Sequence, residues 1–166
     1  MRAGCSTRPH RVRTRALRGQ SPVIQETFGW KSLPPIAGIP LGNFYFQIHP
    51  GAIQGPQVAR FLRALLRHVH GPLPILWEGA ALPRSKRVQD FVESAGPRLI
   101  AAPLPAYAPE LNPVECLWAH LKEHEIANLA VRHARELSRA ATAALRRMRR
   151  RPKSILACFA QADLWP

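Results

Sequence analysis

The chain has 166 residues, 46% of them hydrophobic, which fits one folded domain with a real core and excludes a disordered tail. No apolar run approaches the roughly 20 residues that a membrane-spanning helix needs, and none follows the basic start MRAGCSTRPHRVRTR, so this start does not read as a secretory signal. The formal net charge is +14, from 24 Lys+Arg against 10 Asp+Glu, and only Lys31, Lys86, Lys122 and Lys153 are lysines. Such an arginine excess attracts polyanions at long range, and guanidinium forks suit phosphate oxygens. A codon bias towards Arg, Ala and Pro would give a merely basic surface; the clustering of the charge favours nucleic acid. Cys5, Cys116 and Cys158 are odd in number and far apart in sequence, which points to a reduced, cytoplasmic chain without a disulfide framework or zinc cluster.

In chain order, residues 1–22 hold seven Arg or His and end in the turn signal RGQSP. Two candidate strands follow. SLPPIAGI (32–39) is weakened by Pro34 and Pro35, whereas NFYFQIH (43–49) alternates Phe44, Phe46 and Ile48 with Tyr45 and Gln47, as a half-buried strand does. After the loop HPGAIQGP, a helix is predicted from about Gln57. Val58, Phe61, Leu62, Leu65, Leu66 and Val69 line one face, Arg60, Arg63 and Arg67 the other, and Gly71 and Pro72 stop it. LPILW (73–77) reads as a strand covered on both faces. RSKRVQDFVES reads as a second amphipathic helix with Val88, Phe91, Val92 and Ala95 inward, and RLIAAPL (98–104) as another buried strand. Beyond residue 112 the chain reads as helical, with one helix over about 113–127 and an Ala/Arg-rich one over about 132–150, ended by Pro152. The pattern implies an α/β fold, a mixed sheet with flanking helices, with neither repeat nor second domain.

Two carboxylates stand out. The loop 103–113 is rich in proline, which fixes φ and removes a donor, so it is a stiff connector. Asn112 suits an N-cap and Pro113 the first helical position, which puts Glu115 third, at the edge of the stripe Val114, Leu117, Trp118 and Leu121. A glutamate there often only closes a capping box. Glu78 follows the strand LPILW directly, and ligands of open α/β sheets collect beyond the carboxyl ends of strands. Taken alone it is an acid marking a strand end. Together the two suit hard-oxygen binding of divalent ions, as in sites where two ions about 4 Å apart serve phosphoryl transfer.

LPAYAPELNPVECLWAHLK (104–122) resembles the segment around the third catalytic acid of DDE-type transposases of the mariner-like bacterial insertion-sequence group. RTRALRGQSPV (13–23), NFYFQIHPGAIQGPQVARFL (43–62) and LPILWEGAALPRS (73–85) resemble further family segments in the same order, and 36 residues separate Glu78 from Glu115, close to the family's habit. The resemblance implies a ribonuclease-H-like fold and one catalytic domain over residues 1–166, with a basic helical tail over about 130–153. It implies cleavage of DNA at an element's ends and strand transfer, dependent on Mg²⁺ or Mn²⁺, in a bacterial, nucleoid-associated protein. Glu78 and Glu115 would be the second and third catalytic, metal-holding acids.

Three departures bear on activity. Met1 of MRAG stands at the family's first aspartate, so the first strand is expected to be missing or incomplete and the domain truncated. The family's second aspartate is Glu78, and one methylene shifts a carboxylate by about a bond length where catalytic geometry tolerates about half an ångström. Leu82 and Pro83 occupy the neighbourhood of a family histidine. A degenerate domain, inactive by itself, is expected; a non-catalytic DNA-binding or transposase-inhibiting protein is the alternative. Its partners would be DNA and a full-length transposase or a second copy.

Arg146, Arg147, Arg149, Arg150 and Arg151 form a basic block that either tracks a DNA backbone or is a solvated helix face. His120 and His124 have the i, i+4 spacing of a zinc pair but lack the glutamate of metalloprotease chemistry, and they read as solvated. Trp30, Trp77, Trp118 and Trp165 are scattered and read as core residues or family landmarks.

Overall fold

A computed structural model describes residues 5–6, 10–16, 18–20, 23, 32–77, 85–105 and 108–164. Two-residue strands β1 (Cys5–Ser6) and β2 (Ser32–Leu33) pair antiparallel. The hairpin β3 (Pro35–Gly38) and β4 (Tyr45–Ile48) sets Pro35 opposite Ile48 and Gly38 opposite Tyr45. Strands β5 (Leu73–Trp77) and β6 (Leu99–Pro103) are parallel, Leu73 opposite Leu99 and Trp77 opposite Pro103, with helix α2 (Lys86–Ala95) between them in the chain. The mixed α/β character read from the sequence is thus present, with the described strands in three two-stranded pieces.

Pleat alternation gives the hairpin two apolar faces. Ile36 and Tyr45 join the core of α1 (Gly55–His68) and α2, built on Val58, Phe61, Leu62, Leu65, Val88 and Leu99. Ala37, Phe46 and Ile48, with buried Phe44, pack on the other core. That core is supplied by α3 (Pro113–His120), α4 (Ala134–Arg149) and α5 (Pro152–Gln161) through Leu117, Trp118, Leu137, Ala141, Leu145, Met148 and Ile155. Each fully buried Leu, Ile or Phe contributes about 1.5–3 kcal/mol, so these two clusters hold the layers together. At the end of α1, Arg98 donates from Nη2 to the carbonyls of Leu66 and Val69, at 3.1 and 3.0 Å, satisfying acceptors that the helix leaves open.

Several expectations need correction. Among the described residues β5 and β6 are covered on one face only: Leu76 is 59% and Ile100 56% exposed, and the core that the C-terminal helices build on the hairpin includes no residue of either strand. Pro74 has no N–H to donate, which suits a strand with one pairing partner among the described residues. The helix expected to about residue 127 changes at Leu121–Glu125 into a π turn, closed by the Ile126 N–H donating to the Leu121 carbonyl at 2.9 Å. Pro152 does end α4, yet it also opens α5, a helix the basic run before it obscured in the sequence. Cys116 and Cys158, distant in sequence, are free thiols brought near one another by α3 and α5.

Candidate active site

The proline-rich connector resolves into single roles for its prolines. Pro103 ends β6, Pro109 opens a 3₁₀ turn at Pro109–Leu111, and Pro113 is the first residue of α3. Asn112 caps that helix: its Oδ1 accepts the Val114 N–H at 3.1 Å, and its carbonyl accepts the Glu115 N–H at 2.9 Å. The Asn112 N–H donates to the Pro109 carbonyl at 3.1 Å, which ties the cap to the turn before it. Glu115 sits half-buried in the first turn, where the helix dipole favours negative charge. Buried Leu117 and Trp118 fix this turn to the core.

Glu78 lies outside the described residues, as do Leu82 and Pro83, so the structure describes Glu115 of the two expected acids. The end of β5 that precedes Glu78 is nevertheless tied to the connector, because the Leu104 N–H donates to the Trp77 carbonyl at 2.8 Å. The connector runs from that tie to Asn112 and Glu115. Among the described residues, no group of three or more His, Cys, Asp and Glu is placed to hold a metal ion. Glu115 with its described neighbours thus does not make up a metal site, and Glu78 would have to complete one.

The basic block divides in two. Arg147 and Arg151 are drawn to Glu125, Arg147 through Nε at 3.2 Å and Nη2 at 2.6 Å to Oε2, and Arg151 through Nη1 at 3.9 Å to Oε1. Arg146, Arg149 and Arg150 are exposed and make no ion pair among the described residues. The rings of His120 and His124 lie 4.8 Å apart, centroid to centroid, against one another. Trp118 belongs to one core and half-buried Trp77 borders the other, whereas Trp30 and Trp165 lie outside the described residues.

Sequence reasoning passed over two polar residues. His49 is buried, with Nδ1 3.4 Å from Arg60 Nη2 and Nε2 without a hydrogen-bond partner among the described residues. Burial, and then the Arg60 charge, lower its pKa from the usual 6.5. Asn128 holds a left-handed φ of 55° and grips the N-terminal segment through Val12. An asparagine just past a helix was the one available signal for this conformation.

The family described as DDE superfamily endonuclease matches residues 2–138. Among solved structures, the Mos1 transposase paired-end complex with the left transposon end is similar at a TM-score of 0.56 and 16% identity, over 95% of this chain and 52% of that one. The Mos1 strand transfer complex is similar at 0.57 and 16% identity, over 93% and 50%. The Mos1 mariner paired-end complex with Mn is similar at 0.53 and 16% identity, over 93% and 51%. At that identity the likeness speaks for the fold, and the chain spans about half the length of these solved chains. No curated protein matches. With a family match covering most of its residues, the chain belongs to the DDE superfamily endonucleases.

Proposed function

We propose that this chain is the ribonuclease-H-like catalytic domain of a transposase of the mariner-like insertion-sequence group, spanning residues 1–166, and that by itself it does not cut DNA. The family match carries the reading, and the capped first turn that presents Glu115 supports it. Glu78 and Glu115 are the residues that would hold Mg²⁺ or Mn²⁺, and the bound ion would supply Lewis-acid activation of water or a 3′-hydroxyl. The chain's own residues supply less than that chemistry needs. Met1 offers a thioether where the family's first acid offers a carboxylate, and Glu78 is one methylene too long.

Supercoiled plasmid bearing matched element ends, incubated with Mg²⁺ or Mn²⁺, should stay intact; nicking above that of a Glu115→Ala control overturns the reading of inactivity. The second reading is a DNA-binding or transposase-inhibiting protein, acting on DNA or on a full-length transposase or second copy. The exposure of Arg146, Arg149 and Arg150 favours it. Mn²⁺ separates the two, since carboxylates able to hold the ion gain thermal stability from it by mass action and a DNA-only binder does not.

A further inference from the structure

We infer that Cys116 and Cys158 are a reversible dithiol–disulfide pair, which a small-molecule disulfide oxidises to a bond clasping α3 to α5, whatever the two acids do. The sulfurs lie near one another across two helices that pack together, although the segment 117–157 separates them in the chain. Leu117, Trp118 and Ile155 share one core and Phe159 packs against it, so apolar contacts flank the pair on both helices. Ile155 and Cys158, three residues apart, sit on the buried face of α5. Both cysteines are free thiols, so the fold exists without the bond and the bond is an addition to it.

A buried cysteine by itself is an ordinary small apolar residue. Here a second sulfur stands beside it. Among the described residues no group of three or more His, Cys, Asp and Glu is placed to hold a metal ion, so the pair lacks the further ligands of a structural zinc site. The two thiols differ in access. Cys116 is half-buried, whereas Cys158 is 4% exposed, and burial, with Cys116 adding to it, pushes the Cys158 thiol up to about 12. An oxidant in solution therefore meets Cys116 first, and Cys158 is the resolving thiol.

Cys116 gives up its proton and its sulfur attacks one sulfur of the oxidant, whose S–S bond breaks and releases one thiol. The Cys158 thiol then loses its proton, its sulfur attacks Sγ of Cys116, and the second thiol leaves. Two protein S–H bonds and the oxidant's S–S bond break. One protein S–S bond and two S–H bonds on the released thiols form, and the oxidant has taken up two electrons. Ionising Cys158 is unfavourable, which makes the second step the slow one. The sulfur already beside it offsets this, since the attack needs no second encounter. Glu115 directly precedes Cys116, so oxidation tethers the turn that carries it to α5.

The test uses the full chain with Cys5→Ser, which leaves Cys116 and Cys158 as its cysteines, and oxidised glutathione at mildly alkaline pH as the probe. Peptide mass mapping without reductant should find Cys116 and Cys158 linked within one chain, with no glutathione retained and both thiols restored by dithiothreitol. The linked chain should melt about 5–10 °C higher, because the bond restricts the unfolded chain across a long loop. Cys158→Ala removes the resolving thiol and should stop with one glutathione on Cys116, whereas Cys116→Ala should take up none. A parent that keeps glutathione on Cys116 without linking overturns the pair, as does linking only between chains or only in denaturant. A linked chain that melts no higher than the reduced one overturns the clasp, since the bond then forms by distorting the packing of α3 on α5. The parent supplies the deciding readouts, so a variant that fails to fold leaves the test intact.

Discussion

Arg147 places both Nε and Nη2 on a single oxygen of Glu125, at 3.2 and 2.6 Å. The pair is lopsided: the arginine side chain is 54% exposed and the glutamate side chain 10%. Replacing Arg147 by Ala leaves a nearly buried carboxylate with Arg151 at 3.9 Å as its one ion-pair partner among the described residues, whereas Glu125→Gln leaves a neutral group that still accepts. Urea unfolding should show Arg147→Ala losing about 1–2 kcal/mol and Glu125→Gln less than about 1 kcal/mol, given the exposure of the arginine. Equal losses would mean that the exposed end of the pair sets its worth.

Asn112 positions the first turn of α3, and with it Glu115. Asn112→Ala removes the bond to the Val114 N–H and should cost about 1 kcal/mol, seen as a lower thermal midpoint, while Asn112→Asp should hold. An unchanged midpoint in the Ala variant would show that Pro113 and the core packing of Leu117 and Trp118 define the turn without the cap.

His49 makes stability depend on pH. Its folded pKa lies below 6.5, so on acidification the unfolded chain takes the proton first. The contribution is whole above pH 6.5 and is lost as pH falls through the folded value. Urea midpoints should drop below that pH in the parent and drop less in His49→Gln. A parent and variant with the same acid slope would place the loss on carboxylates instead.

Cys158 is predicted to resist alkylation. Burial, with the neighbouring Cys116 sulfur adding to it, pushes its thiol up to about 12 from 9.0, and the thiolate is the reacting form. Iodoacetamide at mildly alkaline pH should leave Cys158 unmodified until denaturant is added, as peptide mass mapping would read. The same shift makes the folded form lose stability as pH climbs from 9.0 towards 12, because the unfolded chain gives up this proton first. Rapid labelling of Cys158 in the native chain would mean that α3 and α5 part readily.

The amino-acid order alone determined the local events. Asparagine at 112 and proline at 113 suit a helix start, so the place of Glu115 in α3 was legible. The stripe Val58, Phe61, Leu62 and Leu65 likewise defined the buried side of α1 before any packing was known. These outcomes rest on φ preferences and on period, which act within a few residues. Tertiary contact decided what such short-range rules cannot reach. LPILW and LIAAP were apolar enough for two covered faces, yet the C-terminal helices went to the hairpin and left Leu76 and Ile100 in solvent. The pairing of Arg147 with Glu125, the meeting of Cys116 with Cys158 and the grip of Asn128 on Val12 span 22 to 116 residues. No local pattern encodes these, because which distant groups meet is set by how the layers close over their two cores.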